Sequence, residues 1–314
     1  MNVSWKGVYP ALTTKFKSDD TLDLEMFDTN LQAQIDAGVE GIVLGGSLGE
    51  ASVLSTSEKE ALTKFSVAKA CDRIPVIVNI AEGSTSEAIK QAALAKAWGA
   101  TGLMVLPPMR YRTDHRETVI FFKAVANSTD LPVMIYNNPV DYKTEVTLAA
   151  FEELLECENI QAVKDSTRDI SNVTRMLNTF GDRYKILCGV DPIAMEGLLM
   201  GAHGWVGGLV CAFPRETVAI YKLVKAGRME EALAIQRWFL PLLELDIHSK
   251  LVQYIKLAEA EAGLGTEYVR APRLMLVDKE REAVLKIIRD GIASRPTVPD
   301  HLLTSSGKAY GVKQ

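Results

Sequence analysis

Asn159-Ile160-Gln161-Ala162-Val163-Lys164-Asp165-Ser166 reads as a short buried strand that closes on a lysine. Alternation places Ala162 and Lys164 on one face and Val163 and Asp165 on the other. Ala162 is small and leaves room beside the amine. A lysine at the end of an apolar strand is costly to bury charged, so desolvation lowers its pKa and exposes a nucleophilic amine. Such an amine can form a Schiff base with a 2-oxo acid. An isolated strand-end lysine more often reaches solvent along its stem. The stretches around this one give it a different reading.

Apolar strand patterns and helical patterns alternate on both sides of the lysine strand. Before it come Val8–Thr13, Gly41–Leu44, Pro75–Asn79, Gly102–Pro108 and Pro132–Pro139. After it come Tyr184–Gly189 and Gly204–Val210. Helical spacing appears between them. Leu24, Phe27, Leu31 and Ile35 recur on one face and Gly38 stops the run. Ser57-x-x-Glu60 is a capping box for the next helix. Further helices are expected over 86–98, 115–127, 169–180 and 192–200. Eight strand–helix alternations with strongly apolar strands predict an α/β fold, a (β/α)8 TIM barrel, in preference to a doubly wound sheet. Four later helical stretches, near 215–226, 229–246, 248–262 and 279–292, predict a C-terminal helical extension. The expected organisation is a barrel core over 1–214, closing helices of the same domain over 215–293, and a surface tail over 294–314.

The 314 residues suffice for one large α/β domain. Hydrophobic residues make up 47% and charged residues 24%, with a net charge of -5 and no basic block. Nucleic acid is therefore not an expected partner. No apolar run is long enough to span a membrane and the start lacks a signal-peptide core. Cys71, Cys157, Cys188 and Cys211 form no C-x-x-C, which predicts a cytoplasmic protein with free thiols. Neither they nor the four histidines have metal-ligand spacing, so no metal and no cofactor are expected.

In a parallel barrel the site lies at the C-terminal ends of the strands. There the sequence places Thr13, Ser47, Tyr136 and Lys164, with Gly189 allowing close backbone approach and Val206 forming wall. Gly45-Gly46-Ser47-Leu48-Gly49-Glu50 offers backbone N–H groups and a hydroxyl to a carboxylate without a cation. The same pattern also suits an ordinary glycine-rich turn; Glu50 is read as structural. Tyr136 ends its strand before Asn137-Asn138-Pro139. A phenol beside an amine can shuttle protons while a carbinolamine forms and dehydrates. Pro139 is placed to fix the loop that aims Tyr136.

The ordered set Gly45–Glu50, Tyr136-Asn137-Asn138-Pro139, Val163–Ser166, Gly189-Val190-Asp191 and Gly201–Gly208 resembles the dihydrodipicolinate synthase / N-acetylneuraminate lyase family of class I aldolases. The likeness runs from about Gly7 to the final helix. It implies a (β/α)8 barrel with a helical extension, a homotetramer, Lys164 as Schiff-base residue and Tyr136 as proton carrier. It also implies that Ser47 and the Leu48 backbone hold the 2-oxo acid carboxylate, with Val206 lining the pocket.

The departures matter too. The synthase has a second threonine where this chain has Leu48, and an interface tyrosine where the alignment places Arg110, with Tyr111 adjacent. It has an arginine after its Y-N-x-P motif where this chain has Asp141. A carboxylate cannot replace a bidentate guanidinium. A substrate with one carboxylate and a cationic or hydroxylated far end suits Asp141 better, unless Lys143 and Arg110 fold in.

Within the family, the loops most resemble the hydroxyproline-catabolic 1-pyrroline-4-hydroxy-2-carboxylate deaminases, which give 2,5-dioxopentanoate and ammonia. The expected function is therefore a Schiff-base lyase for a 2-oxo acid or cyclic imine carboxylate, with that deaminase first. The alternatives are 4-hydroxy-tetrahydrodipicolinate synthase and an aldolase or dehydratase for 2-keto-3-deoxy sugar acids or 4-hydroxy-2-oxoglutarate. The non-enzymatic alternative is a catalytically silent ligand-binding barrel.

Overall fold

The computed structural model describes residues 3–108 and 111–302. Eight strands appear in chain order: β1 (Gly7–Pro10), β2 (Ile42–Leu44), β3 (Val76–Ile80), β4 (Gly102–Val105), β5 (Val133–Asn137), β6 (Ile160–Asp165), β7 (Lys185–Cys188) and β8 (Gly204–Gly207). All pairs are parallel, in the order β1-β8-β7-β6-β5-β4-β3-β2. Just past β1, the Leu12 N–H donates to the Val43 carbonyl at 2.9 Å, and Ala11 bridges Val43. The ladder thus closes on itself as the expected (β/α)8 barrel.

The strands are shorter than the apolar runs suggest. Pro107, Pro108 and Pro139 cannot donate to a ladder, and the last residues of each run turn out into loops that build the barrel mouth. The first long helix, Leu24–Ala37, starts on the Asp23 side chain and ends at Gly38 in the left-handed region. Its Phe27 and Leu31 are buried against the barrel, as their spacing predicts. The capping box of the next helix is Ser55 with Glu58, not Ser57 with Glu60, because the helix begins at Thr56. Both pairs fit the same sequence pattern, and only the backbone entry angle distinguishes them.

After β8 come helices Pro214–Lys225, Met229–Leu243, Leu251–Glu261 and Asp278–Ala293. The stretch read as one helix to 246 instead ends at Leu243, and Glu244–Ile247 forms a tighter 3₁₀ turn. That turn carries Asp246 to the barrel mouth. The described part of the expected tail is not wholly superficial: Val298 and Leu302 are buried, and Arg295 pairs with Glu216 at 2.7 Å.

Two buried ion pairs tie helix Leu251–Glu261 to the barrel. Lys256 reaches Glu50 at 2.5 Å, and Lys15 reaches Glu259 at 2.7 Å, with all four side chains fully shielded from water. Lys256 also donates to the Tyr268 carbonyl at 2.6 Å, and Glu50 accepts from the Arg270 N–H at 3.1 Å. Glu50, at the end of the glycine-rich loop, is therefore a clamp for the extension.

Candidate active site

β5 and β6 set the centre of the site. Their register pairs Tyr136 with Lys164 directly across the ladder, so both side chains leave neighbouring strands toward one mouth. The Lys164 Nζ lies 4.2 Å from the Tyr136 ring centroid, and both residues are buried. Burial pushes the Lys164 ammonium down, while Asp246, Tyr142 and Asp191 pull it back up. Burial raises the Tyr136 phenol to about 12, against hydrogen bonds from Asn138 and Ser166. The arrangement thus holds an amine with a weakened hold on its proton beside a phenol that keeps its own.

The mouth is a cavity of about 80 Å³, large enough for several waters or a small organic acid. Ser47, Leu48, Tyr136, Asp141, Lys164, Gly189 and Val206 all line it, so the expected site residues come together. At Gly189 the requirement for glycine is steric: a Cβ there would stand 2.2 Å from the Ser166 Oγ and 2.7 Å from the Lys164 Cγ and Cε. Any larger residue would force Ser166 and the Lys164 stem to shift.

Thr13 does not join them. Its hydroxyl is bonded to Glu259 at 2.8 Å, within the buried Lys15–Glu259 pair, and faces away from the cavity. Asp141 lines the cavity, but its carboxylate is engaged. Asn138 Nδ2 donates to it at 2.8 Å, and the Arg168 guanidinium stands 3.9 Å away. Lys143 turns outward to the Val140 carbonyl at 2.5 Å. Arg110 lies outside the described residues. Tyr111 is exposed and is bonded to Glu117 at 3.4 Å.

Tyr142, Asp246 and Arg168 line the mouth and Asp191 is buried behind it, and the sequence reading gave none of them a role. Pro139 starts a one-turn helix, Pro139–Tyr142, capped by Asn138. That turn aims Tyr142, whose hydroxyl meets the Ser47 Oγ at 2.5 Å and whose ring packs edge-on to Tyr136. Asp191 is fully buried and accepts from Trp205 Nε1, the Gly208 N–H and the Leu209 N–H at 2.7–3.0 Å. Asp246 enters from the C-terminal extension, and burial and Asp191 push its carboxyl well above the usual range. Arg168 stands on the wall of the mouth just beyond β6. Tyr142 was legible in principle, six residues after Tyr136 in a loop already singled out. Asp246 carries no local signal.

The sequence matches the Dihydrodipicolinate synthetase family over residues 4–290. This chain belongs to that family. A 4-hydroxy-tetrahydrodipicolinate synthase of Exiguobacterium sibiricum is 31% identical over 273 residues, covering 87% of this chain and 92% of the relative. A protein of Escherichia coli named probable 2-dehydro-3-deoxy-D-pentonate aldolase is 26% identical over 289 residues, covering 90% and 96%. Among solved structures, dihydrodipicolinate synthase from Aquifex aeolicus superimposes with a TM-score of 0.86 at 26% identity, covering 91% of this chain and 97% of the other. The chloride-inhibited dihydrodipicolinate synthase from Acinetobacter baumannii, complexed with pyruvate, gives 0.88 at 25%, covering 92% and 99%. Membership of this family makes the chain an enzyme of the class I aldolase type, a lyase on a (β/α)8 barrel. Among the described residues no group of three His, Cys, Asp or Glu side chains is arranged to hold a metal, and no helix is long and apolar enough to cross a membrane.

Proposed function

We propose that this enzyme is a lysine Schiff-base lyase that joins or splits a short 2-oxo acid and an aldehyde. The observation that carries the reading is the desolvated Lys164 amine seated against the Tyr136 ring in a small cavity at the barrel mouth. Lys164 attacks the C2 carbonyl carbon, and Tyr136 supplies the proton with which the carbinolamine oxygen leaves as water. The iminium withdraws electrons from C2, so a C3 proton is lost and an enamine forms. The enamine carbon attacks the aldehyde carbon, the new C–C bond forms, and the aldehyde oxygen takes up a proton. Water then releases the product from Lys164.

The Ser47 hydroxyl and the loop N–H groups at Ser47 and Leu48 suit the C1 carboxylate, a role supported by their place on the cavity wall. Pyruvate as the 2-oxo acid is supported by the solved relative complexed with it.

Asp246 favours a second reading, the 1-pyrroline-4-hydroxy-2-carboxylate deaminase. A carboxyl with a raised pKa on the wall of the cavity that holds Lys164 suits the acid that protonates a 4-hydroxyl as the enamine electrons expel it. Asp141 supports this reading less than its sequence position suggests, because Asn138 and Arg168 already face its charge.

Borohydride with pyruvate is expected to leave one reduced adduct, on Lys164; equal labelling of a Lys164→Ala protein defeats the assignment. Turnover of pyruvate with aspartate semialdehyde, measured beside ammonia release from the hydroxy-pyrroline, separates the two readings. Full activity in EDTA is expected, since the iminium is the electron sink. A cytoplasmic homotetramer completes the proposal. It is supported by four free cysteines and an exposed apolar strip of Leu274, Met275 and Val277. A monomeric mass in sedimentation would remove the tetramer.

A further inference from the structure

Arg168 combines three features that its neighbours lack. Its backbone sits at φ 61°, in the left-handed region that side-chain-bearing residues rarely adopt. It stands on the cavity wall, on the loop that leaves β6 four residues after Lys164. Its guanidinium donates no hydrogen bond to any described residue, and its one anionic neighbour, Asp141, is 3.9 Å away, beyond hydrogen-bond reach. A costly backbone conformation persists where the rest of the structure enforces it, and such outliers gather at functional sites. Here the conformation delivers an arginine to the mouth and leaves its planar fork of donors open.

The direction of the opening matters. The C1 carboxylate of a substrate bound at Lys164 has the Ser47–Leu48 loop available. Arg168 stands elsewhere on the wall, 3.9 Å from Asp141 and on the loop that follows the lysine strand. Planar guanidinium donors match carboxylate and phosphate oxygens in pairs. We propose that Arg168 selects substrates by a second anionic group, a carboxylate or a phosphate, at the end remote from the Schiff-base carbon. Asp141 then stands beside the guanidinium without engaging it and leaves its donors to the substrate. The proposal rests on Lys164 forming a Schiff base, but not on which bond is made or broken afterwards.

The test uses Schiff-base formation itself. Borohydride trapping on the full chain is titrated with 2-oxoglutarate and 2-oxoadipate, with the neutral 2-oxopentanoate and 2-oxohexanoate, and with 2-oxo-4-phosphonobutanoate. The wild type is expected to half-saturate with at least one distally charged acid at a concentration about 10- to 100-fold below its neutral counterpart. The carboxylate and phosphonate arms identify which anion is preferred. Arg168→Gly is expected to bring that ratio to about one, and Arg168→Lys to leave it in between. Glycine accepts φ 61° without strain, so the glycine variant is expected to melt at the same temperature or about 1–3 °C higher. A ratio unchanged in Arg168→Gly overturns the proposal, and so does a wild type without preference. Failure of every acid to trap, pyruvate included, overturns the Schiff-base reading instead.

Discussion

At the scale of single residues, the site depends on what Lys164 and Tyr136 do to each other. Both are buried, and burial acts on them in opposite senses: it favours the neutral amine and the neutral phenol. As pH rises through the lowered lysine pKa, the neutral amine accumulates. The rate of imine trapping with pyruvate is therefore expected to rise with pH along a limb below the ordinary lysine range. A limb at the ordinary lysine value would mean that the amine is solvated. Tyr136→Phe keeps the ring against Lys164 and removes only the hydroxyl. Turnover is expected to fall about 100-fold or more while the melting temperature holds; activity within a factor of two of wild type ends the proton-carrier role. The lysine and tyrosine were legible because each ends an apolar strand, where the period of two fixes the face. Arg168 and Asp246 were not, because loop geometry and a distant turn deliver them, and no periodicity encodes either.

At the scale of elements, two features make separate predictions. Helix Leu251–Glu261 is docked through Lys256 and Glu50, a pair with no access to water. Lys256→Ala removes the close cation from a buried carboxylate and leaves it only Arg273 at 3.9 Å and the Arg270 N–H, so stability is expected to fall by about 3–5 kcal/mol in urea unfolding. A loss under 1 kcal/mol would show that the helix docks through its apolar face alone. At the opposite end of the barrel, Glu40 precedes β2 and accepts the Val8 N–H at 2.7 Å. Burial pushes its carboxyl from 4.5 up to about 7. Between those values the folded chain holds a proton that the unfolded chain has lost, so stability falls as pH rises through that window and levels off above it. Glu40→Gln is expected to gain up to about 3 kcal/mol over the parent at pH 8 and little at pH 4, less to the extent that the carboxyl keeps contact with water. A difference that does not change with pH rejects the account. Strand and helix existence was legible; their ends were less so. Ser55-x-x-Glu58 and Ser57-x-x-Glu60 are equal as patterns, and the helix from 229 breaks at Leu243 although apolar spacing continues.

For the whole molecule, the barrel was readable because all-parallel strands are covered on both faces and so appear as unbroken apolar runs. Eight such runs with helices between them leave closure as the economical solution, and the β1–β2 contact at Leu12 and Val43 completes it. The substrate was less readable, since it depends on charges that meet only in the folded mouth. The extension that walls this mouth has a further consequence, in the order of synthesis. Lys164 and Tyr136 leave the ribosome long before Asp246, Ile247 and Leu251 are made. Until those residues arrive, one side of the mouth is missing, water reaches the lysine, and its ammonium keeps an ordinary proton. On the Schiff-base reading, the amine is therefore expected to become reactive only after translation has passed the helices that wall the mouth.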